Sequence, residues 1–210
     1  GGTLVDLMVP IDQQAAIKKG ITKTLECSDR NACDIELLIS GGFSPERGFM
    51  HQADYEAVVQ GHRTTSGYLF GLPVVMDTDR NDLELGDRVL LNYNGQDLAV
   101  MEIEDKWIPD KVIEAKGCYG TTSLEHPAVR MIATERKSFY LGGKIQGLEI
   151  PKRIFPCKTP AEVRAKLPEG EDVVAFQCRN PIHRAHYELF TRALNANNVS
   201  KNAVVLVHPT

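Results

Sequence analysis

Two short apolar segments with an amphipathic segment between them define the end of the chain. Asp172–Phe176 and Ala203–Val207 have the length and apolar character of buried strands, whereas Pro181–Ala196 has apolar residues at helical spacing. A strand, a helix and a second strand in this order predict a right-handed β-α-β unit with parallel strands. Because ligands of such units bind beyond the carboxyl ends of the strands, we expect a binding site directly after the first strand.

Turn-forming residues interrupt the rest of the chain at short intervals. Because pairs such as Gly41-Gly42 and Gly142-Gly143 favour turns, only short segments remain between them, and these favour short strands. The sequence therefore predicts a mixed fold, with a β-rich domain over residues 1–152 and the start of an α/β domain over residues 153–210. The chain begins without Met and stops directly after an apolar segment, so we expect both ends to be trimmed.

Local signals predict several individual elements. Asn94-Gly95 favours a type I′ hairpin between its flanking segments. A Thr followed by Pro at residue 159 is a typical helix start. The predicted strands of the first domain are Tyr68–Met76, Asp87–Tyr93 and Asp97–Ile103, and the predicted helices are Gln13–Gly20, Asp54–Gln60 and Thr159–Leu167.

Charge and cysteine content exclude several classes of function. The net charge of −4 and the pI near 5.9 leave no broad basic field for a nucleic-acid backbone. The five cysteines are scattered without a C-x-x-C pair, so neither a disulfide framework nor a zinc ribbon is indicated, and a reducing compartment fits best. No apolar run approaches the roughly 18 residues that a membrane span needs.

The segment with the clearest chemistry is Q-C-R-N-P-I-H-R-A-H, from Gln177 to His186. Asn180 and Pro181 form a good N-cap and first helical position, so the free backbone N–H groups of the helix are expected to face the site and favour an anion. Arg179 lies beside this N-cap, and its planar guanidinium can bind two oxygens of a tetrahedral oxyanion at once.

Two histidines follow at a spacing of three residues. His183 and His186 can lie on one side of a helix and hold the same phosphate group. Other interpretations stay open at this point. Together with Cys178 the pair could form a metal cluster, although the spacing matches no standard zinc pattern. His186 also falls in register with Ile182, Leu189 and Ala193, which is typical of a packed histidine on a core face. An arginine alone is often a surface residue, and Gln177 could simply close the strand.

Together these residues resemble the Q-x-R-N-P-x-H-x-x-H motif of the ATP sulfurylase family, a variant of the H-x-x-H element of nucleotidylyltransferases. Ile39–Met50, I-S-G-G-F-S-P-E-R-G-F-M, is similar to that family's L-x-G-G-F-S-P-L-x-G-F-M, and the chain starts with G-G-T-L-V. The resemblance covers the whole chain. It implies a PUA-like β-rich domain over residues 1–152, followed by the first β-α-β unit of a Rossmann-like nucleotidylyltransferase domain over residues 153–210.

The resemblance also implies roles for individual residues. Gln177 and Arg179 are expected to contact sulfate, while His183 and His186 bind phosphates and stabilise the transition state. Cys178 stands where the family often has Thr, which implies contact through its backbone. The implied ATP-binding residues are Gln177, Cys178, Arg179, Asn180, His183 and His186, and all of these except Gln177 occupy catalytic positions.

The implied reaction joins sulfate to ATP. A sulfate oxygen attacks the α-phosphorus in line, pyrophosphate leaves, and adenosine 5′-phosphosulfate forms, with Mg²⁺ accompanying ATP. We expect no metal held by the protein alone, no nucleic-acid or membrane partner, and a homo-oligomer in the cytoplasm, or in a plastid if an upstream transit peptide was removed. The alternatives are another nucleotidylyltransferase, a PUA-like RNA-binding protein without catalysis, and a catalytically inert relative.

Overall fold

The structure is a computed structural model that describes residues 2–155 and 157–209. The chain divides into two compact units, Gly1–Cys157 and Lys158–Thr210. The domain boundary that the sequence predicts after residue 152 stays a prediction.

The first unit combines short strands with helices. Its strands are β1 (Lys23–Glu26), β2 (Gly48–Phe49), β3 (Met76–Thr78), β4 (Arg88–Tyr93), β5 (Gln96–Glu102), β6 (Asp105–Trp107) and β7 (Phe139–Gly147). Its helices are α1 (Ile11–Lys18), α2 (Asp29–Ile39), α3 (Gln52–Gly61), α4 (Lys111–Tyr119) and α5 (Pro127–Thr134).

Strand β7 organises the sheet of this unit. It pairs antiparallel with β2, β3, β5 and β6, and the main strand order is β1-β4-β5-β7-β2. Two glycines in β7 permit this crowding. A Cβ at Gly142 would lie 2.4 Å from the Met50 carbonyl oxygen, and one at Gly143 would lie 2.0 Å from the Glu102 carbonyl oxygen. Side chains at these positions would push the neighbouring strands away from β7.

Helix α2 covers one face of the sheet. Its residues Ile35, Leu38 and Ile39 are completely buried together with Leu91 and Met101 of the central strands. Burying each such side chain contributes roughly 1.5–3 kcal/mol. This face holds the helix on the sheet, and the reciprocal capping contacts of its first turn fix where it begins.

The hairpin prediction is confirmed, and one predicted strand is wrong. Strands β4 and β5 pair antiparallel around Asn94 (φ 50°) and Gly95 (φ 80°), the two left-handed residues that a type I′ turn requires. Of the predicted strand Tyr68–Met76, Met76 alone lies in β3. The β-prone residues before it form a loop that turns back on α3, because the backbone N–H of Phe70 bonds to the carbonyl of His62 at 2.9 Å.

The second unit is the predicted β-α-β unit. Its elements are α6 (Pro160–Arg164), β8 (Val173–Cys178), α7 (Arg184–Leu194) and β9 (Val204–Pro209). Strands β8 and β9 are parallel. Thr159 caps α6 as predicted, in a reciprocal capping box with Glu162, although the helix ends earlier than the sequence indicates. No helix in residues 2–155 and 157–209 is long and apolar enough to cross a membrane.

Hydrogen bonds hold together the end of the second unit at which strands β8 and β9 begin. The backbone N–H of Asp172 donates to Ser200 Oγ at 2.9 Å, and the N–H of Ser200 donates to the Asp172 carboxylate at 2.8 Å. Asn202 donates to Glu171 at 2.9 Å, and this hydrogen bond lowers the pKa of Glu171. These contacts set the register between β8 and the turn before β9.

Candidate functional site

Strand β8 continues further than the sequence predicts. Gln177 and Cys178, expected in the connection after the strand, are its last two residues. They remain in the strand because β9 continues beside them, so that Gln177 pairs with His208 and Cys178 with Pro209. Gln177 is thus held by strand pairing at the carboxyl edge of the sheet.

Helix α7 begins later than the sequence predicts. The expected N-cap was Asn180, but the helix starts at Arg184 and its N-cap is His183, with φ −130° and ψ 176°. The fixed φ of Pro181 suits an extended connection as well as a first helical turn. Since β8 ends at Cys178, residues 179–182 make the connection to the helix. The His183 side chain makes no capping hydrogen bond, so the first N–H groups of α7 are not satisfied by that side chain.

The two histidines of the motif lie together as the spacing predicts. The rings of His183 and His186 are stacked, with centroids 3.8 Å apart and planes 28° apart. His186 also contacts the ring of Phe176 at 5.2 Å, and Phe176 contacts Phe190 at 4.8 Å. The stacked pair is therefore held through His186 against aromatic side chains that join α7 to β8.

His186 packs partly against other side chains, as the alternative interpretation predicts. The ring contacts that it makes are with Phe176 and His183. Ile182 and Leu189, the residues in register with it, are 46% and 53% exposed. Its Nδ1 atom is buried and has no hydrogen-bond partner within residues 2–155 and 157–209. One ring nitrogen of His186 is thus enclosed without a hydrogen-bond partner in the described chain.

The remaining residues of the motif are open to solvent or nearly so. Gln177, Arg179 and Asn180 are exposed, and none of their side chains makes a hydrogen bond or ion pair with another described residue. Cys178 is half-buried and forms no disulfide with the other cysteines of the described chain. The side chains of Gln177, Arg179 and Asn180 are therefore available to a ligand.

Strand alternation divides the site between two faces of the β8–β9 sheet. Phe176 contacts α7, so we call its face the helix side and the opposite face the far side. Successive side chains of a strand point to opposite faces. Gln177 therefore lies on the far side, whereas the stacked imidazoles of His183 and His186 lie at the helix side.

A protein-held metal cluster is not found in the part of the chain that the structure describes. There, no group of three or more His, Cys, Asp or Glu side chains is arranged to hold a metal ion. The cluster of Cys178 with His183 and His186, one of the interpretations left open by the sequence, is therefore not formed.

The fold and the motif define a class of protein: a PUA-like β domain followed by the first β-α-β unit of a Rossmann-like α/β domain. The chain belongs to the PUA-like domain family, whose model matches residues 1–150. The ATP-sulfurylase family model matches residues 156–210. The resemblance to ATP sulfurylases that the motifs indicate is confirmed.

Individual relatives agree with the family models. The chain is 39% identical, over its whole length, to a sulfate adenylyltransferase of Chaetomium globosum and 36% identical to one of Kluyveromyces lactis. It spans 38% and 43% of the lengths of these relatives. Among solved structures, a hexameric APS kinase from Thiobacillus denitrificans has the same fold, with a TM-score of 0.74 and 24% identity over the whole chain and 38% of that structure's chain. These relatives do not favour the alternative functions.

Proposed function

We propose that the protein containing this chain is a sulfate adenylyltransferase, which transfers AMP from ATP to sulfate. The observation that carries the proposal is the placement of Gln177 and Arg179 at the end of β8, beside the stacked pair His183 and His186 at the start of α7. These side chains bring donors for two anions to the carboxyl edge of a parallel sheet, where such folds bind ligands. The names of the relatives support the same function.

Each side of the site has its own role in this proposal. The amide of Gln177, on the far side, and the guanidinium of Arg179, in the connection directly after β8, bind sulfate. At the helix side, His183 and His186 bind the phosphates of ATP together with the open N–H groups at the start of α7. Cys178 and Asn180 complete the ATP site, with Cys178 contributing through its backbone because its side chain is half-buried.

The reaction needs no nucleophile from the protein. A sulfate oxygen forms a bond to the α-phosphorus while the bond from that phosphorus to pyrophosphate breaks, and the electron pair leaves with pyrophosphate. Two anions must be held close together against their repulsion, so positioning and charge stabilisation provide the catalysis. Arg179 stabilises the attacking group, and the imidazoles stabilise the negative charge that develops on pyrophosphate.

Mg²⁺ enters the proposal as part of the nucleotide. Phosphate oxygens and water are the ligands that Mg²⁺ prefers when it accompanies ATP. The substrate is therefore MgATP, and no residue of the Gln177–His186 motif is a ligand of the ion.

Cellular setting is a further part of the proposal. Five cysteines that form no disulfide with one another support a reducing compartment, which we take to be the cytoplasm. A homo-oligomer stays a prediction, which light scattering of the complete protein would test.

The test is pyrophosphate release by the complete protein with MgATP, measured with and without sulfate. We expect release that depends on sulfate. Arg179→Ala should reduce the rate by about 100-fold or more, because a donor to the reacting groups is lost. Arg192→Ala, an exposed arginine in the last turn of α7, is the matched control and should remain near the original rate. Release that ignores sulfate, or an Arg179 variant with normal turnover, would contradict the proposal.

A further inference from the structure

His208 lies at the carboxyl edge of the sheet beside Gln177. The register of β8 and β9 pairs these two residues directly. Neighbouring strands in a sheet are about 4.8 Å apart, so the two backbones are adjacent where both side chains leave the sheet. The two residues are separated in the sequence by the whole of α7, and their direct pairing follows only from the register of the sheet.

The two side chains also share a face. Residues paired in register on parallel strands point to the same side of the sheet, and Gln177 is on the far side because Phe176 before it contacts α7. His208 therefore also points to the far side, away from the stacked pair of His183 and His186.

The His208 side chain has no structural task in the chain as described. It is exposed, and it makes no hydrogen bond, ion pair or ring contact with residues 2–155 or 157–209. An imidazole offers one N–H donor when neutral and two when protonated. Beside the amide of Gln177 on the same face, it adds a second side-chain donor at the carboxyl edge of the sheet, close in the chain to the guanidinium of Arg179.

We propose that His208 is a sulfate-binding residue, on the far side of the site, and this inference rests on the proposed function. A tetrahedral dianion has four oxygens that accept hydrogen bonds, and Gln177 and Arg179 leave part of them unbound. His208 donates to one of the remaining oxygens from the neighbouring strand. It does not contact the phosphates of ATP, because the imidazoles that bind them are on the helix side.

Because sulfate and the phosphates of ATP are bound on different faces of the sheet, changes at His208 should affect KM for sulfate more than KM for MgATP. In the complete protein, His208→Ala should raise KM for sulfate by about 10-fold, because a hydrogen bond to a charged group is lost, while KM for MgATP changes less than about twofold. His208→Gln, which keeps a side-chain N–H donor, should recover part of the affinity for sulfate. Val207→Ala is the control, since Val207 is the preceding residue of β9 and points to the helix side.

The outcomes separate the inference from the function on which it rests. If the unmodified protein releases no pyrophosphate in response to sulfate, the proposed function is overturned and this inference with it. If that protein is active and the folded His208 variants keep its KM for sulfate, or change both KM values equally as a disturbed strand would, the assignment of His208 alone is overturned. Circular dichroism of each variant establishes that it is folded.

Discussion

At the scale of single residues, Glu114 is a buried carboxylate that joins two elements of the first unit. Its buried carboxylate accepts hydrogen bonds from the hydroxyl groups of Tyr55 at 3.0 Å and Tyr140 at 2.9 Å. Burial raises the pKa of Glu114, and the two hydroxyl donors oppose that shift. Burial and the neighbouring Glu114 in turn raise the pKa of both tyrosines. One carboxylate thus satisfies two buried hydroxyl groups from different elements.

Removing this acceptor should destabilise the first unit. Glu114→Ala leaves both buried hydroxyl groups without a partner, so we expect the free energy of unfolding to fall by about 2–5 kcal/mol. Urea denaturation followed by fluorescence of Trp107 measures the effect, because Trp107 is the one tryptophan of the sequence and its ring lies within 6 Å of both tyrosine rings. Glu56→Ala, on the exposed surface of α3, is the control. Equal losses in the two variants would show that the network adds no stability.

At the scale of elements, the sequence predicts what local signals determine. The turn at Asn94-Gly95, the cap at Thr159 and the two strands of the β-α-β unit are confirmed because each depends on residues close together in the chain. Helix α2 was not predicted. Its capping box uses Asn31 at a position where Glu or Gln is the usual signal. Strand β7 was also missed, because its two adjacent glycines indicate a turn until the partners on both of its edges are known.

In the candidate site, too, the features that depend on residues close together in the chain are predicted and those that depend on strand pairing are not. The proximity of His183 and His186 is predicted from their spacing, although His183 is the N-cap of α7 and not a residue within the helix. The end of β8 is not predicted, because it depends on pairing with β9. The start of α7 is not predicted either, because Pro181 fits two backbone conformations. The pairing of His208 with Gln177 is not predicted either, because it needs the register of the sheet.

The hairpin between β4 and β5 gives a test at this scale. Gly95 has φ 80°, a left-handed conformation that costs an L-residue with a side chain about 1–2 kcal/mol. We expect Gly95→Ala to lower the free energy of unfolding by about 1 kcal/mol. Gly71→Ala is a matched control, since neither glycine has an atom within 4 Å of the added Cβ and Gly71 is not left-handed. Thermal unfolding of both variants gives the comparison, and equal stability would argue against a strained turn.

At the scale of the whole molecule, the chain has 28 acidic and 24 basic side chains. Its individual carboxylates have different pKa values and therefore lose their charge at different pH. Burial raises the pKa of Asp34 to about 6, although Arg136 and Arg30 lower it in part. The hydrogen bond from Arg80 lowers the pKa of the exposed Asp82 to about 2. Stability therefore depends on which carboxylates are charged, and the net charge of −4 does not describe that dependence.

Asp34→Asn tests the sign of this dependence. Because the folded protein raises the pKa of Asp34 from 3.8 to about 6, the group binds its proton more tightly when folded. Its favourable contribution is complete below pH 3.8 and is lost as the pH rises through about 6. The variant should therefore be more stable than the original at pH 7, by about 1–3 kcal/mol, and the difference should disappear near pH 3.5.

Urea denaturation at both pH values, followed by Trp107 fluorescence, measures this difference. Asp12→Asn, in the exposed first turn of α1, controls for the change in net charge. A stabilisation by Asp34→Asn that is the same at both pH values would mean that the buried charge is not its cause.

The alternation of side chains along β8 has an evolutionary consequence. Since Phe176 and Gln177 point to opposite faces, inserting or deleting one residue before Gln177 would turn its amide toward α7 and an apolar residue toward the proposed sulfate site. A change of two residues would keep both orientations. If the proposed function is correct, active homologous chains should therefore differ in the length of this strand by even numbers, whereas the loop before β8 is free to vary by any number.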